Sequence, residues 1–445
     1  MNGKTFIIEN FGCQMNLADT SEVKKALSNN GYIERDDSPD IVILNSCAIR
    51  ETAEERIYGR LRHYSVLKNK KPFTLVLMGC VAQKEKDNIL KVNPSVDLVI
   101  GTHQKSRIPE ILSDYLLKDQ DTRSGTSIEE PAMQVFDRLG DYEFSTSVPS
   151  TRYPFKADIT IIHGCNKYCS YCIVPYTRGT EMSQKSGEIL NNVKDLVSQG
   201  VTEIQLLGQN VNSYGQDNND IPFSELLYKL NETNGLKRIR FLTSHPKDFN
   251  SELIDVIQEC DKVCKYIHLP LQSASDKVLD KMKREYTYEH YRSIISELKE
   301  KIPYIVLSTD ILVGFPYESE EDFEKTLEAM KEIRYDSAYM FKYSVRRGTE
   351  SANYSDLVDD AEKKRRLQLI IDTQHRITKE QNERDLGKTE KVLLESVSRN
   401  NPKQLLGKTD GNKPVVVEAD KGMIGTYQTV QLDRLKGNTF HGTPL

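Results

Sequence analysis

Between Ile159 and Pro175 the chain reads ITIIHGCNKYCSYCIVP, with Cys165, Cys169 and Cys172 spaced Cys-x3-Cys-x2-Cys. Three thiolates this close, with no fourth cysteine to complete the set, suit three irons of a 4Fe-4S cube and leave the fourth iron open for chemistry. Other readings use the same residues: His163 could complete a tetrahedral zinc site, and in an oxidising compartment two of the thiols could pair as a disulfide. The spacing favours the cube.

A second set is spread over the first quarter of the chain. Apolar, β-branched runs at Thr5 to Asn10, Asp40 to Ser46, Thr74 to Cys80 and Asp97 to Thr102 each precede a helical pattern, which predicts a small doubly wound parallel α/β domain over residues 1–119. Cys13, Cys47 and Cys80 stand at the ends of the first three of these strands. In a parallel sheet those ends share one edge, so the topology should bring three distant thiols together. Three separate buried cysteines are the plainer alternative. Independent core cysteines, however, have no reason to share one end of three successive strands.

The elements that position the first set lie in residues 151–383. Six strand-like runs alternate with helices: DITIIH, EIQLLGQN, RIRFLTSHP, KYIHLPLQS, IVLSTDILVG and SAYMFKYS. The pattern is a partial (β/α)6 barrel with the cysteine loop at its C-terminal mouth, where such folds keep their sites. Gln209, Asn210, Ser244, His245, His268, Gln272 and Asp310 collect at the same strand ends. Each alone is a common loop-capping residue, but as a ring they form a candidate lining. Cys260 and Cys264 have no third thiol nearby and read as packing residues.

Residues 120–150 are polar and rich in Ser, Thr, Gly and Pro, the composition of a linker, though VFDRLGDYEF in its middle could dock on a neighbour. A charged helix is expected over 360–383, with an apolar stripe at Leu367, Ile370, Ile371 and Ile377. Its run Lys363 to Arg366 reads first as a solvated face. Residues 384–445 become short β runs split by Gly, Asn and Pro. Ten Lys and Arg against seven Asp and Glu over 384–436 give +3, opposite in sign to the −5 of the whole chain, as befits a small nucleic-acid-binding β-barrel.

The chain-wide charge excludes a uniformly basic nucleic-acid coat. No apolar run approaches a membrane span, and the eight cysteines form no dense framework, so a cytoplasmic protein with reduced thiols and no membrane partner is expected.

An aromatic residue, Tyr171, directly before the third cysteine completes a Cys-x3-Cys-x-aromatic-Cys pattern that resembles the radical S-adenosylmethionine enzymes. Three modules in this order, together with GCQMNLADTSE (Gly12 to Glu22), NSCAIRETAEER (Asn45 to Arg56), YCIVPYTRGTE (Tyr171 to Glu181) and LLGQNVNSYG (Leu206 to Gly215), resemble the methylthiotransferase family and, within it, the branch acting on tRNA. Its last module is the RNA-binding TRAM domain.

The resemblance implies two 4Fe-4S clusters and S-adenosyl-L-methionine as cofactors. Cys165, Cys169 and Cys172 would ligate the radical cluster, whose open iron chelates the methionine part of the cofactor. Cys13, Cys47 and Cys80 would ligate an auxiliary cluster. Tyr171, Gln209 and Asp310 would contact the cofactor, with Gln209 in Leu207-Gly208-Gln209 standing where many relatives carry glutamate. The implied reaction places a methylthio group on C2 of isopentenylated adenosine at tRNA position 37. An electron donor such as a flavodoxin or ferredoxin and a sulfur donor would be partners. Methylthiolation of a ribosomal-protein aspartate or of threonylcarbamoyladenosine, and a non-catalytic iron-sulfur or RNA-binding protein, remain alternatives. GFPYESEEDF carries Tyr317 where glycine is expected, so its turn must tolerate a side chain or change shape.

Overall fold

The computed structural model describes residues 3–48, 51–123, 133–135, 142–150 and 152–445. Residues 124–132 and 136–141 of the expected linker, and with them all but the ends of VFDRLGDYEF, lie outside these residues.

The N-terminal unit is a parallel sheet of β1 (Thr5–Phe11), β2 (Ile33–Glu34), β3 (Ile41–Ser46), β4 (Thr74–Gly79), β5 (Leu98–Ile100) and β6 (Met133–Val135), in the order β2-β1-β3-β4-β5-β6. Every residue of β3 and β4 is buried. Ile41 and Ile43 face one apolar cluster while Val42 and Leu44 face another, which is why the central strands read as continuous apolar runs. Two edge strands were not anticipated. β2 has two exposed residues, and β6 sits inside the stretch that reads as linker, where it pairs with β5. Edge strands are held by backbone pairing, which needs no apolar pattern.

The second unit contains β7 (Lys156–Thr160), β8 (Ile162–His163), β9 (Met182–Ser183), β10 (Glu203–Leu207), β11 (Arg238–Phe241), β12 (Tyr266–His268), β13 (Val306–Val313) and β14 (Ser337–Lys342). Parallel sheets β11-β10-β7 and β12-β13-β14 are joined by a parallel bridge between Ile239 and Val263 into an open six-stranded barrel. The run DITIIH is split: its last residues form β8, which pairs antiparallel with β9 and closes the base of the cysteine loop. Amphipathic helices such as Ser251–Glu259 and Glu320–Ile333 cover the outside. The latter begins in a capping box between Ser319 and Asp322 that satisfies two backbone donors.

Helix Asp360–Glu383 buries Lys363, Arg366, Ile370, Gln374 and Ile377, whereas Leu367 and Ile371 are half-buried. Its basic run is spent internally, with Arg366 2.8 Å from Glu318 and Lys364 2.9 Å from Asp360. Tyr317 adopts φ +70°, so the turn keeps a glycine-like left-handed shape and carries the side chain at a cost of about 1–2 kcal/mol.

A closed barrel of β15 (Thr389–Ser398), β16 (Asn401–Lys408), β17 (Pro414–Glu418), β18 (Tyr427–Lys436) and β19 (Thr439–Pro444) ends the chain. It docks on the N-terminal ends of the larger barrel's strands. Arg240 donates to the carbonyls of Asp410 and Thr409, both at 2.8 Å, and Arg238 to that of Lys408 at 3.0 Å. Beneath them Glu203 meets Lys156 at 2.7 Å and Arg240 at 3.3 Å. Burial raises the Glu203 carboxyl, but Arg240 and Lys156 overcome it and hold the group at about 2. Among the described residues, no helix is long and apolar enough to cross a membrane.

Candidate functional site

Cys13 caps helix Gln14–Asn29, Cys47 follows β3 directly, and Cys80 opens helix Cys80–Glu85 after β4. The sheet edge brings the three together, as the strand-end argument expects. A hydrogen bond shared with Cys47 pulls the Cys13 thiol down to about 6 against burial, while burial pushes Cys80 up. Gly79 holds φ +95°, and a Cβ there would meet the Ser46 carbonyl at 2.5 Å; only glycine lets β4 turn this closely into its cysteine.

A fourth participant comes from the other unit. Arg178, in the helix Val174–Arg178 after the barrel's cysteine loop, is fully buried, and its charge bears on Cys80 and Cys13. Its Nη2 lies 3.2 Å from Asp19, which is also 3.0 Å from Lys105. Lys105 in turn pairs with Glu22 at 2.5 Å.

The barrel cysteines sit in a pinned loop. Cys165 N–H donates to Gly179 O at 3.1 Å, Cys172 N–H to Cys169 O at 2.9 Å, and Ser170 N–H to Met282 O at 3.0 Å. Gly164 holds φ +80°, and a Cβ on it would stand 1.9 Å from the Thr180 carbonyl. Burial pushes Cys165 upward and Cys172 to about 12. Thiols in such surroundings ionise when a metal takes the charge. Tyr171 packs edge-on to Phe315 with ring centroids 6.2 Å apart, behind the loop.

His163 does not serve this loop. Its ring stacks on Tyr142 at 3.6 Å and meets His103 at 5.1 Å, within the junction between the two units. Burial drives its pKa well below the ordinary value. A zinc site therefore lacks its fourth ligand here. Among the described residues, no three His, Cys, Asp or Glu gather around a point that a single ion could occupy.

Four polar side-chain atoms that follow β10 and β11 are left unpaired. Gln209 Oε1, Asn210 Oδ1, Ser244 Oγ and His245 Nε2 are buried without a hydrogen-bond partner inside the protein. Such atoms are costly unless a ligand or water satisfies them. Asp310 lies instead in the second half-barrel, with Oδ1 3.5 Å from His268 Nε2, and the Gln272 N–H donates to its carbonyl at 2.8 Å. Cys260 belongs to the barrel core, and Cys264 is buried 3.8 Å from Asp410 of the docked C-terminal barrel, so both are packing residues.

Tyr168, within the cysteine loop, and Tyr176, in the helix that follows it, are exposed and meet edge to face at 6.3 Å. Tyr176 borders an open groove of about 670 Å³, lined also by Val345, Arg347, Thr349 and Asn353. The adjoining Arg346 donates to the Ala48 carbonyl at 2.6 Å, tying this groove to the N-terminal cysteine edge. Sequence reasoning singled out none of Arg178, Arg284, Tyr142 or Arg346. Arg178 lay in the quoted motif YCIVPYTRGTE and Tyr142 in the quoted stretch VFDRLGDYEF, but neither stretch marked the individual residue.

Comparison with known proteins agrees with this organisation. Residues 159–330 match the radical SAM superfamily, 383–445 the TRAM domain, and 5–101 a family described as uncharacterized protein family UPF0004. A tRNA-2-methylthio-N(6)-dimethylallyladenosine synthase of Acetivibrio thermocellus is 42% identical over 99% of this chain and 91% of its own. The enzyme of the same name from Clostridium botulinum is 41% identical over 98% of this chain and 95% of its own. Among solved structures, the radical S-adenosylmethionine methyltransferase TsrM of Kitasatospora setae, with cobalamin and a [4Fe-4S] cluster bound, superposes with a TM-score of 0.56. It has 13% identity and covers 77% of this chain and 72% of its own, which is a likeness of fold.

Proposed function

The chain belongs to the methylthiotransferase family of radical S-adenosylmethionine enzymes, in the branch of the tRNA-2-methylthio-N(6)-dimethylallyladenosine synthases, and we propose that it places a methylthio group on C2 of isopentenylated adenosine at position 37 of tRNA. The observation that carries this reading is the gathering of six cysteines into two three-thiol sets, one at the parallel-sheet edge of the N-terminal unit and one in the loop between β8 and β9, with Cys80 and Ile173 packed in one apolar cluster between them.

Cys165, Cys169 and Cys172 are assigned to one 4Fe-4S cluster, and Cys13, Cys47 and Cys80 to the other. When bound, the clusters and S-adenosyl-L-methionine supply the radical and sulfur chemistry that an unactivated aromatic C–H position requires. The protein's own groups hold and orient. Gln209 Oε1 and Asn210 Oδ1 can accept from the ammonium of the cofactor's methionine moiety, and Ser244 Oγ and His245 Nε2 can donate to its carboxylate, which would satisfy four otherwise orphaned buried atoms. Tyr171 braces the cluster loop. Asp310 enters through His268.

The exposed Tyr168 and Tyr176 beside the groove suit unstacked anticodon-loop bases, which must leave the stack to reach a buried site. A low-potential electron donor such as a flavodoxin or ferredoxin, a sulfur donor, and a cytoplasmic setting complete the proposal. The test is anaerobic reconstitution followed by assay on isopentenylated and unmodified anticodon stem-loops, with mass analysis of the nucleosides. A methylthio product on the isopentenylated stem-loop alone is expected. No product on either, from protein carrying both clusters, would overturn the reading.

A further inference from the structure

Arg284 is buried in the barrel mouth with Nη1 3.4 Å from Cys169 Sγ. Its remaining contacts are neutral. Nη2 donates to the Pro270 carbonyl and Nε to the Tyr286 hydroxyl, both at 3.3 Å, and the guanidinium lies 5.3 Å from the Tyr286 ring centroid. The groups that bear most on its charge are Tyr286, Tyr171 and Cys169, none of them a carboxylate.

The backbone that carries it is held in costly conformations on both sides. Lys283 and Glu285 have φ +55° and +59°, in the left-handed region that ordinary residues avoid. The Arg284 N–H donates to Leu279 O at 3.0 Å, and the neighbouring Met282 carbonyl accepts from Ser170 N–H in the cysteine loop. The turn is thus locked against that loop with the arginine pointing inward.

An arginine cannot shed its proton in a protein, so a buried guanidinium needs an anion nearby. The anion within reach is the three-cysteine set. A cube on three thiolates is anionic and becomes more so when it gains an electron, and its potential follows the charges around it. We propose that Arg284 is the counter-charge of the barrel cluster, stabilising its reduced state and thereby raising the potential at which a one-electron donor can load it. This rests on the reading that Cys165, Cys169 and Cys172 hold a cube. Arg178 provides an internal contrast: its charge is shared with Asp19 at 3.2 Å, so the N-terminal set receives a partly neutralised cation, whereas the barrel set receives a whole one.

The experiment is an EPR-monitored redox titration of the full-length chain carrying Cys13→Ala, Cys47→Ala and Cys80→Ala, so that one cluster titrates, with Arg284 intact, R284K or R284M. R284M removes the charge while keeping bulk, and its midpoint should move to more negative potential. R284K keeps the charge and should stay near the parent. With a donor of fixed, modest potential, S-adenosylmethionine cleavage should drop in R284M and recover when titanium(III) citrate replaces that donor. Equal midpoints in parent and R284M at full iron content would overturn the proposal. If R284M fails to bind iron, R284K decides: a midpoint shifted as far as loss of charge would demand, despite the retained charge, overturns it, and a parental midpoint supports it. A parent chain that binds no iron under the same conditions would instead refute the cluster reading itself.

Discussion

The Gln14 side-chain amide, one residue beyond Cys13, donates to Asp158 Oδ2 at 2.7 Å and so ties the N-terminal cysteine edge to the first strand of the larger barrel. Burial pushes the Asp158 carboxyl up to about 6, against the opposing pull of Gln14 and Lys156, with Glu203 adding to the rise. A carboxyl raised in the folded state favours the fold while protonated, and that contribution fades as pH climbs through about 6.

Asp158→Asn keeps an acceptor for Gln14 without the buried charge. Compared with the parent, it should gain on the order of 1–2 kcal/mol in denaturant unfolding at pH 8 and little at pH 4, because the difference builds up between the ordinary carboxyl value and about 6. A gain of equal size at both pH values would show that ionisation of Asp158 is not its source.

Two three-thiol sets predict about eight irons per chain after anaerobic reconstitution. Cys169→Ala should abolish both 5'-deoxyadenosine formation and methylthiolated tRNA. Cys47→Ala, checked for retained fold and about four irons, should still form some 5'-deoxyadenosine while making no methylthio product. Product from that variant would exclude the N-terminal cysteines as the sulfur-delivering site.

Glu203 is the central anion among Lys156, Arg238 and Arg240 under the C-terminal barrel. Glu203→Gln leaves those cations underpaired, and removing one partner of a buried ion network costs about 3–5 kcal/mol. The variant should be cleaved near Arg384 by limited proteolysis faster than the parent. Unchanged protection would mean that backbone acceptors alone hold the module.

On the docked barrel, Arg399, Lys403, Arg434 and Lys436 are exposed. The module covers the N-terminal ends of the strands, and the five residues of β7 alone put about 16 Å between that end and the cysteine loop. Arg434→Ala with Lys436→Ala should therefore weaken tRNA binding and reduce the slope of log K against log salt by roughly 1–2, leaving turnover at saturating tRNA unchanged. An unaltered slope would make these residues bystanders.

Tyr176 faces the groove beside the cysteine loop. If an anticodon-loop base stacks there, Tyr176→Ala should weaken stem-loop binding by about 1–3 kcal/mol, and Tyr176→Phe should not. Cofactor cleavage without RNA should be the same in both, which separates loss of RNA stacking from damage to the cluster loop.

Chemistry that depends on neighbours along the chain was legible in the residues. Cys165, Cys169 and Cys172 lie within eight positions, so one loop must hold them together whatever the rest of the fold does. The convergence of Cys13, Cys47 and Cys80 also followed, because apolar runs fix a parallel sheet and a parallel sheet aligns its strand ends. The expectation that Gln209 and Asn210 stand at a strand end came from the same logic, and the structure leaves a buried oxygen of each without a hydrogen-bond partner.

What meets those residues was decided by tertiary structure alone. Arg178 follows Cys172 by six positions, yet its guanidinium serves the other set of cysteines. Arg284 reaches Cys169 across 115 positions. Arg238 and Arg240 looked like ordinary strand residues in RIRF but became the anchor of the C-terminal barrel. Edge strands β2 and β6, paired through their backbones, left no apolar period to read. The difference is physical. Periodicity records whether a side chain is buried, since burial depends on its own polarity, whereas the partner of a buried charge is set by distances of a few ångströms in a low-dielectric interior, and only the packed chain fixes those.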